Sequence, residues 1–302
     1  MNNEVFRNYI KAGKIAGKAI KKARKEIKPG MKLLDIANDL EKFIKDKEGE
    51  FAFPINLSLN EKGAHYTPTR NDKTEVNKKD VLKVDIGVHV NGFVGDTATT
   101  ICFNEKYNKM KEAVENALNA AIKLCKPGNK VRQLSEAIEK EIEKMDYKPV
   151  SNLTGHGLEQ FNLHAEPQIP NVSKEGDYVL KEDDVIAIEP FATDGKGKIK
   201  ESEETMIYSL LQPVRIKSPS AKKIVDFAKK FQRLPFAKRW IPIEKEAYIR
   251  LGLKGLERKN VLHKYPVLSE VESGTITQAE HTVIIKDEPI ITTEVGKNDS
   301  NS

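Results

Sequence analysis

The chain repeats itself, and an internal duplication limits the possible architectures more tightly than any local propensity. Lys28-Pro29-Gly30-Met31-Lys32 and the residues that follow to Lys42 run parallel to Lys126-Pro127-Gly128-Asn129-Lys130 and the residues to Lys140, at an offset of 98 positions. Each Lys-Pro-Gly follows a helical pattern, at 8–25 and again at 110–124, and precedes another, at 34–45 and again at 131–144. Pro and Gly punctuate the turn between them. A second match comes in the same order at an offset of 104: Asp80-Val81-Leu82-Lys83-Val84-Asp85 against Asp184-Val185-Ile186-Ala187-Ile188-Glu189, both β-rich runs that end in a carboxylate. Two matches at nearly one offset predict a duplicated helix-turn-helix-strand unit, with halves at about 1–103 and 104–302. Such halves pack most simply as a pseudo-twofold α+β domain, a strongly curved antiparallel sheet flanked by four helices. Equivalent strands then meet near the pseudo-axis.

The second half is longer because residues 200–264 have no counterpart in the first. The expected layout is a main domain at 1–199 and 265–302 with an inserted helical subdomain at 200–264. An amphipathic helix is predicted over 221–232, then Pro235, Pro242 and two short helical patterns around 244–251 and 253–259. From Pro213 to Lys264 there are 15 Lys and Arg against 4 Asp and Glu, an excess of +11 in a chain whose total is +6, so the basic character is expected to be confined to this segment. Hydrophobic residues at 38% and charged residues at 32% suit a soluble globular protein. The N-terminus lacks the apolar core of a signal peptide, and no run approaches the ~18 apolar residues of a membrane span, so a cytoplasmic protein is expected. Cys102 and Cys125 form neither a disulfide framework nor a zinc cluster. The polar tail at 296–302 is expected to fray.

The strongest local signal lies in Lys83-Val84-Asp85-Ile86-Gly87-Val88-His89-Val90-Asn91-Gly92-Phe93-Val94-Gly95-Asp96-Thr97. Asn-Gly between β-rich runs is a hairpin turn, and it pairs Val90 with Phe93, Gly87 with Asp96 and Asp85 with Ala98. Side chains alternate faces, so Asp85, Gly87, Asp96 and Ala98 share one face, with the two acids as diagonal neighbours at roughly 7 to 8 Å. Two like charges in mid-sheet oppose folding unless something neutralises them, and a cation does so. The small Gly87 and Ala98 are expected to leave open space beside the acids. By the duplication, Glu189 is the counterpart of Asp85. A strand over 274–285 would bring Glu280 as the counterpart of Asp96, the insertion having opened the second hairpin at its turn. Four carboxylates carry −4, which two divalent cations balance. Two ions about 3.5 to 4 Å apart can share bridging carboxylates and a bridging hydroxide, the arrangement of metal-assisted hydrolysis. His281 adjoins Glu280 and alternation aims it away.

Histidines gather just upstream of the carboxylate strands: His65 in Asn60-Glu61-Lys62-Gly63-Ala64-His65-Tyr66-Thr67-Pro68, His156 in Thr154-Gly155-His156-Gly157, and His164 in Leu163-His164-Ala165-Glu166-Pro167. With Phe53-Pro54, Ser58-Leu59-Asn60, Ile188-Glu189-Pro190-Phe191 and Glu280-His281-Thr282, these motifs resemble those of the type II methionine aminopeptidases of the pita-bread fold, in their short archaeal form. The resemblance runs from about residue 4 to 290, and the insertion is similar to the helical subdomain that separates type II from type I members. It implies a dinuclear centre in which Asp85 chelates one metal, Asp96 and Glu280 bridge both, and His156 with Glu189 completes the second. Co, Mn, Fe and Zn all suit such O and N ligands. It further implies that His164 hydrogen-bonds the scissile carbonyl, that His65 approaches the amide on the leaving side, and that Glu189 shuttles the proton. Phe53, Leu163, Tyr265 and Leu268, with His263 near them, would line a methionine pocket. The implied activity is removal of the initiator methionine from nascent chains with a small second residue, by a bridging hydroxide, in a monomer that the basic insertion could dock onto ribosomal RNA. The competing readings are a proline dipeptidase or X-Pro aminopeptidase, which usually adds an N-terminal domain and has a different histidine loop, and a non-catalytic RNA- or protein-binding member, which lacks several ligands.

Overall fold

The computed structural model describes residues 1–173, 178–212, 216 and 218–294; the tail expected to fray at 296–302 lies outside them. The four helices stand where the repeat puts them: α1 (Asn3–Glu26), α2 (Leu33–Asp46), α3 (Asn108–Ile122) and α4 (Val131–Glu143). Asn2 starts α1 by accepting the Val5 amide at 2.9 Å. Each half builds its own core between helices and sheet, Leu33, Ile36 and Leu40 meeting Leu82, Val84 and Ile86 in the first, and Leu118, Leu134 and Ile138 meeting Ile186, Ile188 and Val283 in the second. Each fully buried side chain of this size contributes about 1.5 to 3 kcal/mol.

The duplication extends to individual backbone hydrogen bonds. The Gly30 amide donates to the Val76 carbonyl at 2.7 Å and the Gly128 amide to that of Leu180 at 2.9 Å. Val76 returns a bond to Met31 and Leu180 to Asn129, at 2.9 and 2.8 Å. Each Lys-Pro-Gly turn therefore closes on the segment that feeds its own carboxylate strand. At the next step the Asn77 amide donates to the Asp80 carboxylate and the Lys181 amide to that of Asp184, so the acids that open the two matching runs cap equivalent turns.

The first hairpin, Val81–Val90 with Phe93–Cys102, has the predicted register: Val90 opposite Phe93, Gly87 opposite Asp96, Asp85 opposite Ala98. In the second half, Val185–Ile188 pairs with His281–Ile284, and Phe191–Thr193 with Ile276–Gln278. The single strand expected over 274–285 is thus broken at Ala279 and Glu280. Pro190 has no amide to donate to that ladder, and the Glu280 amide donates instead to the Ala98 carbonyl of the first hairpin at 3.1 Å. The break marks the seam between halves. Buried threonines seal it: Thr97 Oγ1 donates to the Glu280 carbonyl at 2.8 Å, Thr100 Oγ1 to that of Gln278 at 2.7 Å, and Thr282 Oγ1 both accepts the Asp96 amide and donates to the Asp96 carbonyl, at 2.8 Å each.

The segment without a counterpart is entered and left through a ladder of Ile199–Leu210 with Leu262–Glu270. Between these strands, α5 (Pro219–Ala228) stops four residues short of the predicted end and passes into a 3₁₀ turn at Lys229–Phe231. In place of two short helical patterns there is one continuous helix, α6 (Glu246–Glu257). Gly252, which falls between the two expected patterns, stands in its middle, where a Cβ would sit 2.6 Å from Ile224 Cδ1, so the glycine is what lets α6 lie against α5. The insertion is clamped to the first half. Arg239 pairs with Glu41 of α2 and donates to Thr67 Oγ1 at 2.6 Å, while Trp240 donates to Glu41 and stacks on Phe51 at 5.1 Å.

Candidate metal centre

Asp85 and Asp96 face the same side of the first hairpin. Glu189 directly follows its strand and Glu280 directly precedes its own, so the seam brings all four carboxylates to one place. His156 joins them from the strand Thr154–Glu159, which pairs with Val185–Ile188. Its Nε2 lies 3.7 Å from Glu189 Oε1 and 3.9 Å from Asp96 Oδ2. Ligand atoms of Asp96, His156 and Glu280 all lie within 4.8 Å of one another. At that spacing and an effective dielectric of about 20, two carboxylate charges repel by about 3.5 kcal/mol.

Among the described residues no cation relieves this repulsion. Among the described residues none of the four carboxylates pairs with a Lys or Arg, and Asp85 Oδ1 and Asp96 Oδ1 are buried with no hydrogen-bond partner. Glu280 receives one long bond, from Gln278 Nε2 at 3.4 Å. Burial pushes the Asp85 carboxyl up to about 7. Burial first, and then the neighbouring acids, hold Asp96, Glu189 and Glu280 well above the usual carboxylate range. His156 cannot supply the missing charge, because burial, reinforced by the nearby His164, pushes its imidazole down to about 3. A set of four unpaired carboxylates and one neutral imidazole fits divalent cations in its donor types and in its charge.

A cavity of about 210 Å³ opens over this cluster. All the predicted site residues line it: Asp85, Asp96, His156, Glu189 and Glu280 at the acidic end, His65 and His164 beside them, and Phe53, Leu163, Tyr265 and Leu268 along the apolar wall. The His164 ring meets that of His156 edge-on at 4.7 Å. It is exposed at the cavity mouth, and the surrounding protein together with His263 holds its imidazole below the usual range. His65 follows the short strand Lys62–Ala64 with φ of 64° and anchors Nδ1 on the Pro266 carbonyl at 3.1 Å; burial pushes it down to about 4. His263 stands one cavity further out, its ring edge-on to Tyr265 at 4.6 Å, and does not reach the first cavity. The space expected over Gly87 is filled: a Cβ there would lie 2.1 Å from the Phe53 ring, so the glycine seats a pocket wall.

Sequence matching assigns residues 7–227 to the metallopeptidase family M24. A methionine aminopeptidase of Pyrococcus horikoshii is 44% identical over 94% of this chain and 98% of its own length. This chain belongs to metallopeptidase family M24. Solved structures agree on the fold. A thermophilic Arx1 superposes with a TM-score of 0.84 at 20% identity, covering 97% of this chain and 91% of its own, and a methionine aminopeptidase of Thermotoga maritima with 0.71 at 21%, covering 98% of each. The candidate site also contains residues that sequence reasoning missed. Asn56 sits opposite Asp85 in the sheet and lines the cavity with a buried, unpartnered Oδ1. Ile207 and Pro235 come from the insertion and close the apolar wall. Asn171 accepts the Phe191 amide and donates to the Glu189 carbonyl, fixing the bend on which Glu189 sits. None of these carries a local sequence signal, since each becomes a neighbour of the site only through sheet pairing or the docked insertion.

Proposed function

We propose that this M24 peptidase releases N-terminal methionine from peptides and nascent chains whose second residue is small. The observation that carries the proposal is the buried, uncompensated carboxylate cluster beside an apolar cavity with two histidines at its rim. Asp85, Asp96, His156, Glu189 and Glu280 would hold two divalent ions. When bound, the ions supply Lewis acidity and a water of lowered pKa. The other steps belong to side chains. Phe53, Leu163, Tyr265 and Leu268 receive an unbranched apolar side chain. The cavity is smaller than the roughly 300 to 1,000 Å³ of drug-sized ligand sites and admits about one residue. His164, neutral at pH 7, donates a hydrogen bond to the scissile carbonyl oxygen, and this bond strengthens as negative charge develops there. Glu189, at the edge of the cluster and lining the cavity, takes the proton of the attacking water and returns it to the departing amine. His65, held by Pro266, contacts the amide on the leaving side.

The test is methionine release from Met-Ala and Met-Gly peptides after loading with Mn, Co or Fe. Activity that needs no metal, or equal turnover of X-Pro peptides, refutes the reading. Among the described residues no helix is long and apolar enough to cross a membrane; the proposal places the enzyme in the cytoplasm as a monomer, which fractionation and sedimentation would check. The +11 excess at 213–264 supports docking of the insertion onto ribosomal RNA. Unchanged ribosome co-sedimentation after reversing Lys222, Lys223, Lys229 and Lys230 to Glu would end that idea.

A further inference from the structure

The basic character expected to be confined to the insertion is not. Helix α1 carries eight Lys and Arg against two acids, +6, while the chain outside both segments carries about −11. The placement of these charges is more telling than their number. At 3.6 residues per turn, Arg7, Lys11, Lys14, Lys18, Lys21, Lys22 and Lys25 fall within an arc of about 100° and form one ridge about 27 Å long. The opposite face, with Ile15, Ala16, Ala19 and Ile20, is buried in the core. Along the ridge, Lys11 is paired with Glu48 and Lys22 with Glu26 and Asp39. Arg7, Lys14, Lys21 and Lys25 are exposed and have no ion-pair partner among the described residues.

A groove of about 390 Å³ runs beside the ridge, where Arg7, Lys11, Lys14, Lys18 and Lys47 stand around a floor that includes Ile10. Phe6 and Ile10 of α1 and Phe231 of the insertion pack against the same apolar cluster. The apolar side chains beside the ridge, Phe6, Ile10 and Ile15, are buried or largely covered and offer little to insert among acyl chains, so a lipid surface is the poorer partner. A linear row of cations spaced about one helical turn apart suits a polyphosphate strand, which binds through charge and counterion release without reading bases.

We propose that the exposed ridge of α1 is a docking surface for the phosphate backbone of structured RNA. The choice of RNA rests on the nascent-chain reading above, but the binding experiment does not depend on peptidase activity, so either can fail alone. Binding of the full chain to a fluorescent RNA hairpin of about 20 base pairs is measured from 50 to 200 mM salt. For the wild type, log K falls with log salt by about 0.9 per phosphate contact. In R7Q/K14Q/K21Q/K25Q the slope should drop by about 3 to 4 and affinity by tenfold or more, with Met-Ala hydrolysis unchanged. In K222Q/K223Q the α1 part of the slope should persist. Lysine acetylation of the wild type supplies a second reading independent of variant folding: bound RNA should protect Lys14, Lys21 and Lys25. The proposal is overturned if the α1 variant keeps the wild-type slope, if those lysines acetylate equally with and without RNA, or if the protein binds vesicles containing anionic lipid and not the hairpin.

Discussion

Replacing Asp85 with Asn should stabilise the metal-free protein while destroying its metal site, and the size of the gain can be worked out from the geometry. The Asp85 carboxyl moves from its ordinary 3.8 to about 7 on folding. At 1.36 kcal/mol per unit, keeping it ionised in the fold costs about 4 kcal/mol. The sign follows from proton binding. Between pH 3.8 and 7 the folded chain holds a proton that the unfolded chain has released, so this contribution falls as pH rises and levels off above 7. The buried histidines act in the opposite sense, since His65 and His156 are depressed to about 4 and 3 and favour the fold as pH rises towards 6.5. Comparing the variant with the wild type cancels them. In a chelating buffer, urea unfolding at pH 4, 5, 6, 7 and 8 should show D85N and wild type nearly alike at pH 4. The variant should then become more stable by about 4 kcal/mol at pH 8. Relief of Asp96, Glu189 and Glu280, which Asp85 also raises, adds to the gain. Manganese should narrow the gap, because only the wild type gains about 2.7 kcal/mol at 100 times the dissociation constant and about 4.1 kcal/mol at 1,000 times. A stability difference that is flat with pH, or that grows towards acid, would refute the reasoning.

Three further outcomes follow from the same geometry. His164→Ala should lower kcat for Met-Ala by about 10² to 10³ with metal content unchanged by elemental analysis, as removal of one oxyanion donor does; lost metal would mean that the ring is structural. Gly87→Ala should drive the Phe53 ring out of its seat, cost about 1 to 3 kcal/mol in chemical denaturation and raise KM far more than it lowers kcat. Arg239→Met leaves Glu41 buried without its cation and should cost about 3 to 5 kcal/mol by urea titration. Glu41→Gln introduced on top should recover part of that loss.

Much of this was legible in the sequence because it is written in short-range pattern. The Lys-Pro-Gly turns, the helical periodicities and Asn91-Gly92 specify local conformations. A two-residue turn fixes register, so Gly87 opposite Asp96 followed from counting along the strands. The duplication then carried the first half's lesson to Glu189 and Glu280, residues 91 positions apart that no local rule would join.

What lay beyond the sequence is whatever depends on one element meeting another. The break at Ala279 and Glu280 arises because a strand changes partners at the seam, and hydropathy does not report partners. Gly87 reads as empty space and Gly252 as the gap between two short helical patterns, yet each is filled by a ring or a helix from elsewhere. Charge counting over windows missed the ridge on α1, since acids elsewhere in the first half hide it until helical geometry segregates them. The sequence by itself determined the units, their symmetry and the acids they carry. Only the tertiary structure decided that those acids stand within a few ångströms of one another without a counter-charge, because desolvation and Coulomb repulsion depend on distance through space and not along the chain.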